Sequence, residues 1–336
     1  MTSSKVCEGQ DPMPEWVRWI SEEEVQSVLT WDQLLPAVRR ALVAYTLGAH
    51  HPQGAIQPLR TRLSFPEPQG AMLVMPGLLK EDSLVVKVIA RFPTNAARGL
   101  NLSSCLVMLM QSDTGLPTAI LEGKTITEFR TAAASAVATL EILQGRKELE
   151  DGSMIIAVLG AGAQGRAHAR VMAHILKPKK ILLWARRLEA AQELCAILCS
   201  EGIPAEAVSS VQEAVEDADV INSCTFASTP ILKAEWVKPR AHINSVGATT
   251  PNHQEMEEDL VRAANIYTDS FESARTELGD IIKAGAEVLG EIGELILHTK
   301  PVLNDKITIF KSLGLAVQDA VSAKLVYDLL KEKTTQ

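Results

Sequence analysis

A glycine-rich turn near the middle of the chain has the residue spacing of a phosphate-binding loop. The turn Gly160-Ala161-Gly162-Ala163-Gln164-Gly165 follows the apolar run 154–159, which predicts a buried strand, and precedes 166–176, which predicts a helix. In this context GxGxxG predicts dinucleotide binding, because the glycines allow a tight turn and a close approach to a pyrophosphate at the helix N-terminus. The alternative is a closely packed turn that binds no ligand. The predicted cofactor-binding residues here are Gly160, Gly162, Ala163, Gln164 and Gly165.

Two arginines follow the next predicted strand, where an NAD-binding unit has an acidic residue that binds the ribose 2′-hydroxyl. The strand ends Leu183-Trp184-Ala185-Arg186-Arg187, and no acidic residue is present in this stretch. A guanidinium group pairs with a phosphate, whereas a carboxylate would repel it. We therefore predict that Arg186 and Arg187 bind the 2′-phosphate of NADP(H), with NAD(H) as the alternative cofactor. The competing interpretation is a solvated arginine pair at the start of the following helix.

Three cations lie in otherwise apolar or small-residue segments before the glycine-rich turn. Lys87 interrupts the apolar run 84–89, Arg130 lies just inside a predicted helix, and Arg60 alternates with Arg62 on one face of a strand. A buried charge is unfavourable unless an opposite charge accompanies it, so these cations predict a receptor for a small carboxylate or phosphate. The alternatives are an edge-strand lysine that points to water, a salt bridge on the helix surface for Arg130, and solvation of the Arg60–Arg62 pair. With a redox cofactor, the cations favour reduction of a small carboxylate-bearing substrate, in which Lys87 and Arg130 are catalytic and Arg60 binds the substrate.

The periodicity of the chain predicts an α/β fold with two kinds of sheet. Capping-box spacing predicts helices that begin near Ser21 and Thr125, and a further helix covers 31–47. Short β-like runs separated by turns predict a mostly antiparallel sheet: 57–63, 71–75, 84–89, 104–110 and 117–121. Strands alternating with helices predict a doubly wound, Rossmann-type parallel sheet: 154–159, 180–185, 220–224, 242–246 and 265–269.

The last third of the chain divides into three predicted stretches. Residues 277–297 are typical of a mostly helical segment, 307–310 of a strand and 313–330 of a terminal helix. Since the five-stranded nucleotide unit is complete before 305, we expect 305–336 to return to the first domain. The predicted domains are 1–144 with 305–336, and 145–304 for the nucleotide-binding unit.

Composition excludes several classes of function. The 336 residues carry a net charge of −8, and without a basic stripe no nucleic-acid partner is expected. No apolar run is long enough for a membrane helix, and the acidic N-terminus does not resemble a signal peptide. The five scattered cysteines form no metal-binding pattern, so we expect reduced thiols, a cytoplasmic location and no metal.

The chain resembles the ornithine cyclodeaminase/mu-crystallin family over nearly its whole length, and its mu-crystallin-like members most closely. The matching stretches are Gln57-Pro58-Leu59-Arg60, Val74-Met75-Pro76-Gly77, Val86-Lys87-Val88, Arg98-Gly99-Leu100, Phe129-Arg130-Thr131-Ala132-Ala133-Ala134-Ser135-Ala136, the glycine-rich turn, Gly279-Asp280-Ile281 and Phe310-Lys311-Ser312-Leu313-Gly314-Leu315-Ala316-Val317-Gln318-Asp319. The resemblance implies a homodimer in which the first domain, an α+β unit, provides dimerisation and substrate binding. It also implies that Arg60, Lys87 and Arg130 meet the substrate near the nicotinamide.

For mu-crystallin-like proteins, the implied reaction is NAD(P)H-dependent reduction of cyclic ketimine carboxylates to cyclic amino acids such as pipecolate or proline. The same pocket is implied to bind thyroid hormone, for which Met75 and Phe92 are apolar candidates, although both are also typical of plain core. Thr225 and Val246 complete the predicted cofactor-binding set.

Within the family that the chain resembles, one position distinguishes the cyclodeaminases from the reductases. Ornithine cyclodeaminases use an aspartate as a base where this chain has Thr249, which we count among the substrate-binding residues. A threonine hydroxyl is no base at neutral pH, so cyclodeamination is disfavoured. The remaining alternatives are an amino-acid dehydrogenase of the alanine type and a thyroid-hormone-binding protein that keeps NADPH as a structural ligand.

Overall fold

The chain folds around two sheets that pack side by side through helices. The computed structural model describes residues 17–149, 152–248, 253–277 and 279–335. One sheet has seven strands and the other has eight. The described helices and strands alternate as the sequence periodicity predicts, and the predicted fold class is confirmed.

The N-terminal part of the chain forms a mostly antiparallel sheet. Its elements, in chain order, are β1 (Arg18–Ile20), α1 (Glu22–Val28), α2 (Trp31–Leu47), β2 (Ala55–Ile56), β3 (Thr61–Phe65), β4 (Gly70–Leu79), β5 (Ser83–Arg91), β6 (Ser103–Met110), β7 (Pro117–Glu122) and α3 (Gly123–Leu143). The strand order is β1-β7-β6-β5-β4-β2, and β3 also pairs with β4. Only β1 pairs parallel with its neighbour among these described strands, which confirms the predicted antiparallel sheet.

The part of the chain that is predicted to bind the dinucleotide forms a fully parallel sheet, as expected from its continuous apolar strands. Its elements are β8 (Ile155–Leu159), α4 (Ala163–Leu176), β9 (Lys180–Trp184), α5 (Leu188–Ser200), β10 (Ala205–Ala207), α6 (Val211–Val215), β11 (Val220–Ser223), β12 (His242–Ser245), α7 (Glu258–Ala263), β13 (Asn265–Thr268), α8 (Phe271–Glu277), α9 (Gly279–Ala284), β14 (Val288–Glu291), α10 (Ile292–Ile296) and β15 (Thr308–Lys311). The last described element is α11 (Ala316–Thr335), which follows β15. The strand order is β10-β9-β8-β11-β12-β15-β13-β14. Short 3₁₀ turns occupy Pro93–Arg98, Lys147–Leu149 and Ala234–Trp236.

Two predictions for the last third of the chain need correction. Strand β15 lies between β12 and β13 in the parallel sheet, so the predicted boundary at 305 is wrong for Thr308–Lys311. The segment 277–297 is helical over most of its described residues, as predicted, but Val288–Glu291 within it pairs with β13 as the edge strand β14. Helix α11 does pack on the first sheet and on α2. With that one change, we retain the two-domain division as a proposal.

Local capping explains where the helices begin. Ser21 and Glu24 form the predicted capping box, in which the Ser21 N–H donates to Glu24 Oε2 at 2.9 Å. Helix α3 begins earlier than predicted, at Gly123 instead of Thr125, because the Glu122 carboxylate accepts from the Lys124 N–H at 3.0 Å.

The two faces of the antiparallel sheet have different surroundings. Helix α11 packs against β4, β5 and β6 on the inner face. Along β5, Ser83, Val85 and Lys87 are buried, as the alternation of a strand requires. The outer face includes exposed apolar side chains, among them Trp19 at 55% and Met108 at 40% exposure.

Candidate active site

The glycine-rich turn forms the predicted strand–turn–helix unit. Strand β8 ends at Leu159, and α4 begins at Ala163 with Gly162 as its N-cap residue. A Cβ atom at Gly165 would overlap the Gly160 carbonyl oxygen, so only glycine allows this close packing of helix and turn. Gly162 and Ala163 are exposed at the helix N-terminus, where free N–H groups favour a phosphate. The turn therefore fits the pyrophosphate of a dinucleotide.

Arg186 and Arg187 lie beside this turn. Strand β9 pairs with β8 so that Trp184 is opposite Leu159, which puts the carboxyl ends of both strands at one edge of the sheet. Both arginines are exposed, and neither lies in the buried core. They can therefore meet an adenosine ribose whose pyrophosphate is bound at the turn, and their contact with a 2′-phosphate stays a prediction.

A cleft of about 160 Å³ opens between α3 and the carboxyl ends of the central parallel strands. It contains Gln164 of the glycine-rich turn, together with Thr225 and Val246, which follow β11 and β12. Arg130 enters the cleft from α3. The structure thus brings four predicted residues from distant parts of the sequence into one site. The lining residues are Arg130, Thr131, Gln164, Cys224, Thr225, Phe226, Val246, Gly247, Ser312, Leu313 and Gly314.

Lys87 and Arg130 meet at a shared carboxylate next to this cleft, which Arg130 lines and Lys87 does not. Lys87 Nζ donates to Asp319 Oδ1 at 2.8 Å, and Arg130 Nε donates to the same oxygen at 3.0 Å. Lys87 and Asp319 are fully buried, and Arg130 is 5% exposed. The alternatives of an edge-strand lysine in water and a salt bridge on the helix surface are therefore wrong.

Burial changes the protonation equilibrium of Lys87. Desolvation lowers the pKa of its ammonium group, and the neighbouring Arg130 charge lowers it further. Asp319 acts in the opposite direction and raises the pKa of Lys87 through its charge and hydrogen bond. The ammonium is thus destabilised by its surroundings, which favours the transfer of a proton to a bound substrate.

Arg60 holds the loop that carries Gly314 at the cleft wall. Its Nη2 atom donates to the Leu313 carbonyl oxygen at 2.6 Å and to the Gly314 carbonyl oxygen at 3.1 Å. The Asp269 carboxylate accepts from the N–H groups of the same two residues, at 3.1 and 2.8 Å. Gly314 has φ +81°, and a Cβ atom there would lie 2.5 Å from Arg130 Nη1. A glycine is therefore needed where the backbone meets the Arg130 guanidinium.

Met75 and Phe92, two of the other predicted substrate residues, are not among the residues that line the cleft. Met75 is buried on the inner face, directly opposite Lys87 in the pairing of β4 with β5. Phe92 stacks on Phe65 with their ring centroids 6.0 Å apart. Neither side chain lines the cleft, and their roles stay predictions. Thr249 lies outside the described residues.

Comparison with known protein families identifies the family to which this chain is related. The profile of the ornithine cyclodeaminase/mu-crystallin family matches residues 18–334. The chain belongs to the ornithine cyclodeaminase/mu-crystallin family. The family predicted from the sequence motifs is thereby confirmed.

Three known proteins illustrate the similarity. Ketimine reductase mu-crystallin of Mus musculus is 39% identical over 312 residues, which cover 92% of this chain and 96% of the mouse protein. The structure of Thermococcus litoralis Delta(1)-pyrroline-2-carboxylate reductase, in complex with NADH and L-proline, is 31% identical with a TM-score of 0.86, covering 95% of this chain and 98% of that one. An archaeal alanine dehydrogenase dimer with bound NAD is 28% identical with a TM-score of 0.85, covering 95% and 97%.

Two carboxylates of the site were missed from the sequence. Asp319 lies within one of the motifs that show the family likeness, yet no role was assigned to it. Glu255 is fully buried, accepts from the N–H and Oγ1 of Thr225 at 2.7 Å each, and accepts from the Gly247 N–H at 3.0 Å. Glu255 thereby connects the two loops that follow β11 and β12 at the cleft. A signal for Asp319 was present, because a buried lysine requires a carboxylate partner.

Metal and membrane signals are lacking in the part of the chain that the structure describes. No group of three or more His, Cys, Asp or Glu side chains there is arranged to hold a metal ion. None of the described helices is long and apolar enough to cross a membrane. The cysteines Cys105, Cys195, Cys199 and Cys224 are free thiols.

Proposed function

We propose that this chain is a ketimine reductase that uses NADPH to reduce cyclic ketimine carboxylates to cyclic amino acids such as pipecolate or proline. The observation that carries the proposal is that Arg130 lines the same cleft as Gln164 of the dinucleotide turn and is joined through Asp319 to the buried Lys87. The predicted enzyme class, an NAD(P)H-dependent oxidoreductase that acts on C=N or CH–NH bonds, is confirmed by the ketimine and pyrroline-carboxylate reductases among the relatives.

Arg130 and Lys87 have different roles towards the substrate. The Arg130 guanidinium, held at Gly314, binds the substrate carboxylate through charge-assisted hydrogen bonds of about 1.5–3 kcal/mol each. Lys87 supplies the proton or hydrogen bond at the ring nitrogen, from an ammonium destabilised by burial. When bound, the reduced nicotinamide supplies hydride to the C=N carbon. The Nη2 atom of Arg60 donates to the backbone carbonyl oxygens of Leu313 and Gly314. Arg60 therefore stabilises the loop beside the carboxylate site and does not bind the substrate through this atom.

The cofactor residues follow from the same geometry. Gly160 to Gly165 would hold the pyrophosphate, and Thr225 and Val246 would contact the nicotinamide half within the cleft. Glu255 keeps the Thr225 and Gly247 loops together. The exposed pair Arg186 and Arg187 supports NADPH over NADH, with NADH as the alternative.

Steady-state oxidation of NADPH tests the function directly. We expect turnover with Delta(1)-pyrroline-2-carboxylate or Delta(1)-piperideine-2-carboxylate, and much slower turnover with pyruvate plus ammonia. Pyruvate plus ammonia is included because an archaeal alanine dehydrogenase has a similar fold. Faster turnover with pyruvate plus ammonia would establish the dehydrogenase alternative, and no turnover by folded, cofactor-binding protein would contradict reductase activity.

Two further expectations come from the family resemblance. Binding of thyroid hormone in the substrate cleft stays a prediction, and equilibrium titration with the hormone in the presence of NADPH measures it. If the hormone binds tightly and no ketimine is reduced, the protein is a hormone carrier with NADPH as a structural ligand. The cytoplasmic location also stays a prediction.

The outer face of the antiparallel sheet supports the proposed homodimer. Pairing registers place Trp19, Ile120, Met108, Val86 and Pro76 side by side across five strands. Such a continuous apolar row on a sheet face is typical of a subunit interface. An archaeal relative is described as a dimer, and a second copy of this chain would cover the row.

A charge at the centre of this row is expected to separate the subunits. Met108→Glu would bury a carboxylate against the partner's apolar face, so we expect monomers in sedimentation-velocity measurements of a protein that is otherwise dimeric. Ile197→Glu is the matched control, because Ile197 is 44% exposed on α5 of the other sheet. A Met108→Glu protein that stays dimeric would show that the interface lies elsewhere.

A further inference from the structure

Asp319 joins the two catalytic cations at one oxygen atom. Its Oδ1 accepts from Lys87 Nζ at 2.8 Å and from Arg130 Nε at 3.0 Å, and its side chain is fully buried. Lys87 comes from β5, Arg130 from α3 and Asp319 from α11. A single carboxylate therefore fixes the relative position of two side chains that belong to separate elements.

The start of α11 is built to hold this carboxylate. Gln318 precedes Asp319 and accepts from Arg130 Nη1 at 3.1 Å, so two consecutive side chains orient the same guanidinium. The Val317 N–H donates to Gln57 Oε1 at 3.0 Å, which ties the first turn of the helix to the segment between β2 and β3. A negative charge in the first turn is also stabilised by the helix dipole.

Asp319 is the carboxylate that offsets the charge of Lys87. In the described part of the chain, the charged or titratable groups that face Lys87 are Arg130 from α3, Asp319 from α11 and Cys105 from β6. Burial raises the pKa of the Cys105 thiol, so this group stays neutral. Without Asp319, Lys87 would be fully desolvated beside another cation, and nothing in this set would balance its charge.

We propose that Asp319 is a positioning residue for the reduction, which keeps Lys87 in its charged form and fixes its Nζ atom beside the Arg130 guanidinium. The inference rests on the proposed function, because Lys87 acts there as the proton or hydrogen-bond donor. Asp319 itself acts through the two cations. It sets both the geometry of the donor and the pH range in which the donor carries its proton.

The pH dependence of kcat distinguishes this role from a purely structural one. Lys87 is active as an ammonium, so activity falls as the pH rises through the pKa of Lys87. In Asp319→Asn the group that raises this pKa is lost, and the basic limb of the kcat profile moves to lower pH, by roughly one to three units. A residue that only supports the fold would lower kcat at every pH and leave the limb in place.

Two other variants make the experiment specific. Asp319→Glu keeps the charge, so its kcat falls but its basic limb stays close to that of the unmodified protein. Asp328→Asn is the matched control, because Asp328 lies on the same helix in an exposed pair with Lys324, and its profile stays unchanged. An unmoved limb in folded Asp319→Asn overturns the proposal, as does a limb in Asp319→Glu that moves like that of the asparagine variant.

A measurement on the unmodified protein keeps the proposal testable if Asp319→Asn does not fold. The 15N NMR shift of the Lys87 ζ-nitrogen, assigned by its loss in Lys87→Met, is expected to report an ammonium at neutral pH. A neutral amine there overturns the proposal. Since this readout needs no turnover, it tests the charged form of Lys87 that the proposal requires even if no ketimine is reduced, an outcome that would contradict the proposed function instead.

Discussion

Replacing Lys87 by methionine is expected to lower kcat for ketimine reduction by about 10³-fold while the affinity for NADPH changes little. Methionine keeps much of the volume of the buried side chain but provides neither a proton nor a hydrogen bond at the ring nitrogen. Lys87 lies on β5 of the first sheet and is not among the residues that line the cleft with Gln164, so the dinucleotide site is expected to stay intact. Steady-state kinetics and titration of NADPH fluorescence measure the two quantities separately.

Lys87→Met is expected to lower the free energy of unfolding less than the removal of one partner from an isolated buried ion pair would. Asp319 keeps the hydrogen bond from Arg130 Nε, so its charge is still compensated after Lys87 is removed. Thermal unfolding of the variant checks this point, and Lys124→Met on the exposed side of α3 is the control. A Lys87→Met enzyme with a nearly normal kcat would show that the proton comes from another group or from water.

Features that depend only on residues near one another in the sequence could be predicted from the sequence alone. The glycine-rich turn, its flanking strand and its helix lie where the spacing predicted, because turn geometry and apolar periodicity are local properties. Lys87 and Arg130 were recognisable as site residues since a charge within an apolar segment must be compensated in the folded protein. Both are buried beside the cleft.

Pairings between distant residues could not be derived in the same way. Asp319 lies 232 residues after Lys87, and only the fold shows that these two side chains meet. Strand β15 enters the parallel sheet between β12 and β13, an order that no local pattern encodes. Strand β14 was mistaken for part of a helical segment, because its extended conformation depends on pairing with β13. Glu255 was missed because the loops it connects follow different strands.

The cofactor preference is expected to depend on Arg186. Arg186→Asp should weaken NADPH binding by about 100-fold, because one charge-assisted hydrogen bond of about 1.5–3 kcal/mol is lost and a repulsive charge replaces it. NADH has no 2′-phosphate, so its dissociation constant should change by less than about threefold, the effect expected of a screened surface charge. Fluorescence titration with each reduced cofactor measures both constants.

The matched control places the same charge change at the other end of the strand. Lys179 is exposed just before β9 begins, whereas Arg186 follows the end of β9 beside the glycine-rich turn. Lys179→Asp should leave both dissociation constants unchanged, because the parallel sheet puts only the carboxyl ends of its strands next to the cofactor. If Arg186→Asp weakens the binding of NADPH and NADH equally, the arginine contributes to a part of the cofactor that both molecules share. In that case the chain would not select for the 2′-phosphate, and NADH would be an equally suitable reductant.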